Sequence, residues 1–148
     1  MITPILSIIM MTLLGLFAAP APPKKVIYPP GAKAGGNFSP GILADGTLYV
    51  SGNLGIAANG KIPDTFEAEV QQSLDNIDAV LKAGGMSRDD VVSVQVYLTD
   101  LNNFQAMNKV YHEFFPTDPP ARSTVAVAAL VVPNALLEIE CTAAAPKK

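Results

Sequence analysis

The chain has 148 residues, a formal net charge of -3 and charged side chains at 16% of positions, so neither a polybasic face for nucleic acid nor a long acidic tail is available. Its 49% hydrophobic content supplies one domain with a core. One His, one Cys and no Trp leave too few groups for a dense metal site or an internal disulfide.

Residues Ile5 to Ala19 carry no charge and match a signal-peptide apolar region in length, short of the roughly 20 residues of a spanning helix. No Lys or Arg precedes this run, and Pro20 follows the small pair Ala18-Ala19. Residues 1–19 therefore read as a signal peptide leading to a secreted or periplasmic location, or as an uncleaved membrane anchor. The segment Pro20 to Lys25 is proline-rich and basic and should be extended. The folded domain is expected over residues 26–148.

Within it, Ile42-Leu43 and Thr47 to Gly52 flank Asp45-Gly46, a strong hairpin signal. Gly52 ends the second arm, where a side chain would obstruct the approach of a ligand or another backbone. From Thr65 to Ala83, apolar Phe66, Val70, Leu74, Ile77 and Leu81 recur at helical spacing, with Asp64 or Thr65 as cap and Gly84-Gly85 as terminator. After a turn at Ser87 to Asp90, the alternation of Val92, Val94, Val96 and Leu98 predicts a strand with one buried face. Asp100 begins a second helix from Leu101 to about Phe115, built on Phe104, Met107, Tyr111 and Phe114 and stopped by Pro116. Two last strands are expected, Arg122 to Leu130 and Leu136 to Ala143, neighbours joined through Val132-Pro133-Asn134.

Helices interspersed with strands, and too few parallel crossovers for a doubly wound sheet, predict an α+β domain: a mixed sheet with two helices on one face. Residues Val125 to Val132 are apolar on both alternations, which suggests that the uncovered face is buried by other subunits of a homo-oligomer. Cys141 lies in the alternating run Leu137 to Cys141 and reads as a small apolar strand residue.

Arg122 opens its strand after Pro119-Pro120-Ala121, and its planar fork suits a carboxylate. It is either such an anchor or a surface cation paired with Asp118 or Glu113. Glu138 and Glu140, two apart on a strand, face the same side, as solvated carboxylates or as a site. Asn108, near the buried stripe of the second helix, is a satisfied buried amide or a ligand contact. His112 falls beside that stripe and reads as partly exposed. No glycine cluster has the form of a phosphate loop.

Several runs together resemble the RidA (YjgF) family of reactive imine and enamine deaminases. They are Leu48 to Asn53, Thr65 to Gly85, Val94 to Phe104, Asn108 to Phe115, and Pro120 to Val125 with Glu138-Ile139-Glu140. The resemblance implies a chorismate-mutase-like fold of the bacillary type, assembled as a homotrimer whose sheets form a barrel with clefts between subunits. It implies hydrolysis of 2-imino or enamino acids to 2-keto acids and ammonia without metal or organic cofactor. Arg122 matches the arginine that grips the substrate carboxylate, Glu138 the glutamate that orients water, and Gly52 and Asn108 cleft positions. Phe38 stands where the family usually has tyrosine, so it can wall the cleft but not donate a hydrogen bond. Thr124 stands where deaminases often carry cysteine, and Ser123 and Thr124 could bond substrate or water. The partner expected is a small 2-imino or 2-keto acid, not nucleic acid, with a membrane only if residues 1–19 remain attached. The alternative is a non-catalytic small-carboxylate-binding protein of the same family.

Overall fold

Asp45 and Gly46 both adopt positive φ, 46° and 73°, as a two-residue primed turn requires. They close the expected hairpin between β2 (Gly41–Ala44) and β3 (Thr47–Leu54). In this computed structural model residues 23–145 are described, so the signal or anchor segment lies outside the described residues. No helix among the described residues is long and apolar enough to cross a membrane. A short strand, β1 (Lys25–Ile27), was not expected and pairs antiparallel with β2, bringing Lys25 of the supposed linker into the sheet.

The helix α1 (Phe66–Ala83) begins where Thr65 accepts a hydrogen bond from the Ala68 amide and ends at Gly84, with Gly85 at φ 75°. Its stripe Val70, Leu74, Ile77 and Leu81 is buried. The strand β4 (Val91–Leu98) has the expected bounds, but its start differs from simple alternation. The pairing with its antiparallel neighbour is irregular between Val91 and Ser93, so Val91 turns into the core and Val92 is left exposed. The second helix is also shorter than expected. Asp100 caps a 3-10 turn over Leu101–Asn103, accepting from the Asn102 amide, and α2 proper is Phe104–Phe114.

The strand β5 (Ala121–Ala126) ends within the apolar run, four residues short of Leu130, to which it was expected to continue. The physical reason is its partner. β5 runs parallel to β4, Ala126 lies opposite Leu98, and the Val127 amide makes the last bond, to the Leu98 carbonyl. Beyond Leu98 there is no strand to pair with. The last strand, β6 (Leu137–Ala144), inserts between β3 and β4 and is antiparallel to both.

The sheet order is thus β1-β2-β3-β6-β4-β5, mixed because only the β4–β5 pair is parallel, with α2 in the crossover between them. This corrects the expectation that the strands of Arg122 and Glu138 are neighbours, since β4 separates them. Both helices feed one core with the inward residues of β3, β4 and β6, among them Leu48, Val94, Val96, Leu137 and Ile139. The architecture is the α+β one expected, and Cys141 is a buried core residue.

Candidate functional site

Arg122 lies on the helix-covered side of β5. Its ladder partner is Val94, whose other partner is Cys141, and both of these point into the core. Residues directly opposite in a ladder share a face. The guanidinium reaches α2, where Nη2 donates to Asn108 Oδ1 at 2.8 Å and Nη1 meets Met107 Sδ at 3.8 Å. It also lies over the rings of Tyr111, 4.5 Å from the centroid, and Phe104, 5.9 Å. Of the alternatives for Arg122, the surface ion pair with Asp118 or Glu113 is absent: among the described residues no carboxylate pairs with it.

Two hydroxyls close to this cation are buried without a hydrogen-bond partner, Thr124 Oγ1 and Tyr111 Oη. Thr124 is two residues from Arg122 on the same face, and Tyr111 lies beneath the guanidinium. Burial pushes the Tyr111 phenol up to about 12 against the lowering effect of Arg122, so it stays a neutral donor. The cation, without a carboxylate partner among the described residues, has charge and N–H capacity left for an anion. Ser123, between them, points the other way, exposed and opposite Gln95.

Glu138 belongs to the uncovered face. It alternates with the core residues Leu137 and Ile139 and stands opposite Tyr97 and Leu54. Glu140, on the same side, accepts from Tyr97 Oη at 3.0 Å. Partial burial, and then repulsion from Glu140, hold the Glu138 carboxyl above the usual carboxylate range. β3 is irregular between Val50 and Asn53, and this brings Gly52 against the Glu138 side chain, where an added Cβ would overlap Oε1. The glycine is what lets the carboxylate lie down on the strand.

Glu138 and Gly52 line a cleft of about 820 Å³, with Phe38 at its rim. Ser51 Oγ donates to the Ser39 carbonyl at 2.7 Å, tying the Phe38 segment to β3. The expected residues therefore fall into two groups. Arg122, Asn108 and Thr124 gather between β5 and α2, and Glu138, Gly52 and Phe38 line the cleft beside β3, which α1 borders through Gln72, Asn76, Ala79 and Val80. In a single chain they do not meet. Chemically, the first group can bind an anion, and the second holds a carboxylate whose raised pKa makes it a better proton acceptor than a solvated one.

Glu69 was missed. It is 1% exposed on α1, and its Oε1 accepts from the amides of Leu136 and Leu137 at 2.8 and 3.4 Å, next to Glu138 in the chain. Burial raises its pKa, outweighing the two amide bonds that lower it. The spacing Glu69, Ser73, Ile77 continues the buried face, and a charge at such a position was the available signal.

A family model described as Endoribonuclease L-PSP matches residues 30–145. Among solved structures, a Rid-family protein, YyfA of Yersinia pestis, is 38% identical with a TM-score of 0.78, covering 83% of this chain and 100% of its own. RidA from an Antarctic Psychrobacter is 35% identical, TM-score 0.75, over 82% and 99%. TdcF of Escherichia coli, with bound serine, is 33% identical, TM-score 0.76, over 82% and 99%. The match over almost the whole described region, with relatives at this identity spanned end to end, establishes that the chain belongs to the RidA (YjgF) family, the Endoribonuclease L-PSP family of the model.

Proposed function

We propose that the protein hydrolyses reactive 2-imino and enamino acids to 2-keto acids and ammonia, at a site shared between copies of the chain in a homotrimer. The observation that carries this reading is Arg122: a guanidinium without a carboxylate partner, beside two buried hydroxyls that lack partners of their own. A substrate carboxylate supplies the charge partner that this guanidinium lacks. The relative TdcF is solved with serine, whose carboxylate is of the same class. Because Glu138 is on the opposite face of the sheet, the second half of the site comes from a neighbouring subunit.

A 2-imino acid is electrophilic at C2, so placement does most of the work. Arg122 fixes the carboxylate, and Glu138 takes a proton from water as its oxygen bonds to C2 and the C=N pair moves to nitrogen. The protonated Glu138 returns that proton to the nitrogen. Glu138 then takes the hydroxyl proton of the carbinolamine and passes it to the amino nitrogen, which leaves as ammonia as the C–N bond breaks and the C=O bond of the keto acid forms. Each step balances with water alone as co-reactant.

Phe38, lacking a phenolic donor, favours a second reading in which the same Arg122 binds small carboxylates without turnover. An assay of imines formed in situ by an amino-acid oxidase separates the two. Faster imine decay with the intact protein, lost in Arg122→Ala, supports the enzyme; Arg122-dependent keto-acid binding with unchanged decay supports the binder. RNA cleavage, which the family model's description names, fits less well. Net charge is -3, and among the described residues the only charged one lining the cleft is Glu138.

A further inference from the structure

We infer that the Glu138 cleft selects imino acids with a bulky apolar side chain, with Phe38 and Val131 as its specificity-determining walls. Among the described residues, Val131 at 87% and Phe38 at 70% are the most exposed large hydrophobic side chains, and both line this one cleft. Exposed apolar surface gathered at a concave site marks a ligand surface. Leu54, Ile56 and Val132 extend the wall inward from them.

The amides in the lining are already committed. Asn76 Nδ2 donates to the carbonyls of Leu54 and Ile56, Gln72 Nε2 to Asn76 Oδ1, and Asn53 Nδ2 to the Ser51 carbonyl. A substituent running along the cleft from Glu138 therefore meets mainly carbon, beside amides that already bond within the chain. Among the described residues of one chain no cation lines it and its one charge is negative, so an acidic side chain running away from the Arg122 of the neighbouring copy is disfavoured. A leucine- or phenylalanine-sized group buries more carbon against these walls than a methyl group does.

This inference rests on the proposed deaminase reading and is tested on the full chain with imines generated in situ from leucine, phenylalanine, alanine and glutamate. The expected kcat/KM for the leucine- and phenylalanine-derived imines exceeds that for alanine by at least about tenfold, with glutamate lowest. Val131→Glu and Phe38→Ala alter positions exposed in the single chain; each, once shown by light scattering to assemble like wild type, is expected to reduce the leucine-to-alanine ratio, chiefly through KM. Turnover with no preference for leucine over alanine overturns the inference and leaves the deaminase reading intact, as does a ratio unmoved by both substitutions. No acceleration of any imine overturns the deaminase reading itself, and the inference with it.

Discussion

Replacing Glu69 tests how the sheet holds the segment that carries Glu138. The side chain is buried, and its Oε1 takes the Leu136 amide at 2.8 Å and, more weakly, the Leu137 amide at 3.4 Å. Glu69→Met fills similar volume but removes the acceptor, leaving a donor unsatisfied at a cost of about 1–3 kcal/mol. Glu69→Gln keeps a carbonyl oxygen in place and drops only the charge. Burial has raised the folded-state pKa above 4.5, so the folded state binds this proton more tightly than the unfolded one. The group's contribution is therefore greatest below the unfolded pKa and declines as pH rises through the folded value. Urea denaturation of the three proteins at pH 4 and pH 7 reads both effects. Glu69→Met should be the least stable at pH 7, and wild type should lose stability relative to Glu69→Gln between pH 4 and pH 7. If Met and Gln variants are equally stable, the amide bonds to Glu69 do not hold the segment and the reasoning fails.

The remaining predictions concern the Glu138 half of the site and the packing behind it. Gly52→Ala should displace the Glu138 side chain and lower imine turnover by about tenfold or more while costing little in melting temperature, because the obstructing atoms are the mobile end of a side chain. Wild-type turnover should fall as pH drops through the raised pKa of Glu138, since the base must be ionised; a pH profile unchanged in Glu138→Gln would remove that residue from the role. Gly55→Ala, by contrast, places a Cβ against the backbone carbonyl of Glu69 and should destabilise the fold by about 1–3 kcal/mol, measured by thermal melting. Cys141, buried and with its thiol pushed up to about 12, should resist alkylation at pH 8 until the protein is unfolded; rapid native labelling would contradict its place in the core.

What the sequence made legible was local. The Asp45-Gly46 turn, the stripe from Phe66 to Leu81 and the bounds of β4 each follow from a pattern complete within a few residues. Strand partners are not encoded that way. Arg122 to Leu130 looked like one strand because its residues are apolar throughout, yet it stops where β4 stops, which no feature of the run itself reveals. The short loop before β6 suggested a hairpin, whereas β6 passes to the far side of β4. The same limit applies to the site. Residue types pointed to Arg122 and to the pair Glu138 and Glu140, and the family resemblance to Glu138, but the placement of Arg122 and Glu138 on opposite faces depends on pairing between distant strands. Glu69 escaped because helical spacing was read from apolar residues alone.

That division of the two faces has a genetic consequence. A chain bearing Arg122→Ala and a chain bearing Glu138→Gln are each damaged in a different half of any site that needs both groups. Neither alone can assemble one sound pair. Unfolded, mixed in equal amounts and refolded together, they should regenerate intact pairs at about a quarter of subunit boundaries, since each boundary draws one half from either chain at random. Two inactive alleles would then complement each other, while a chain carrying both substitutions would spoil the sites on either side of it.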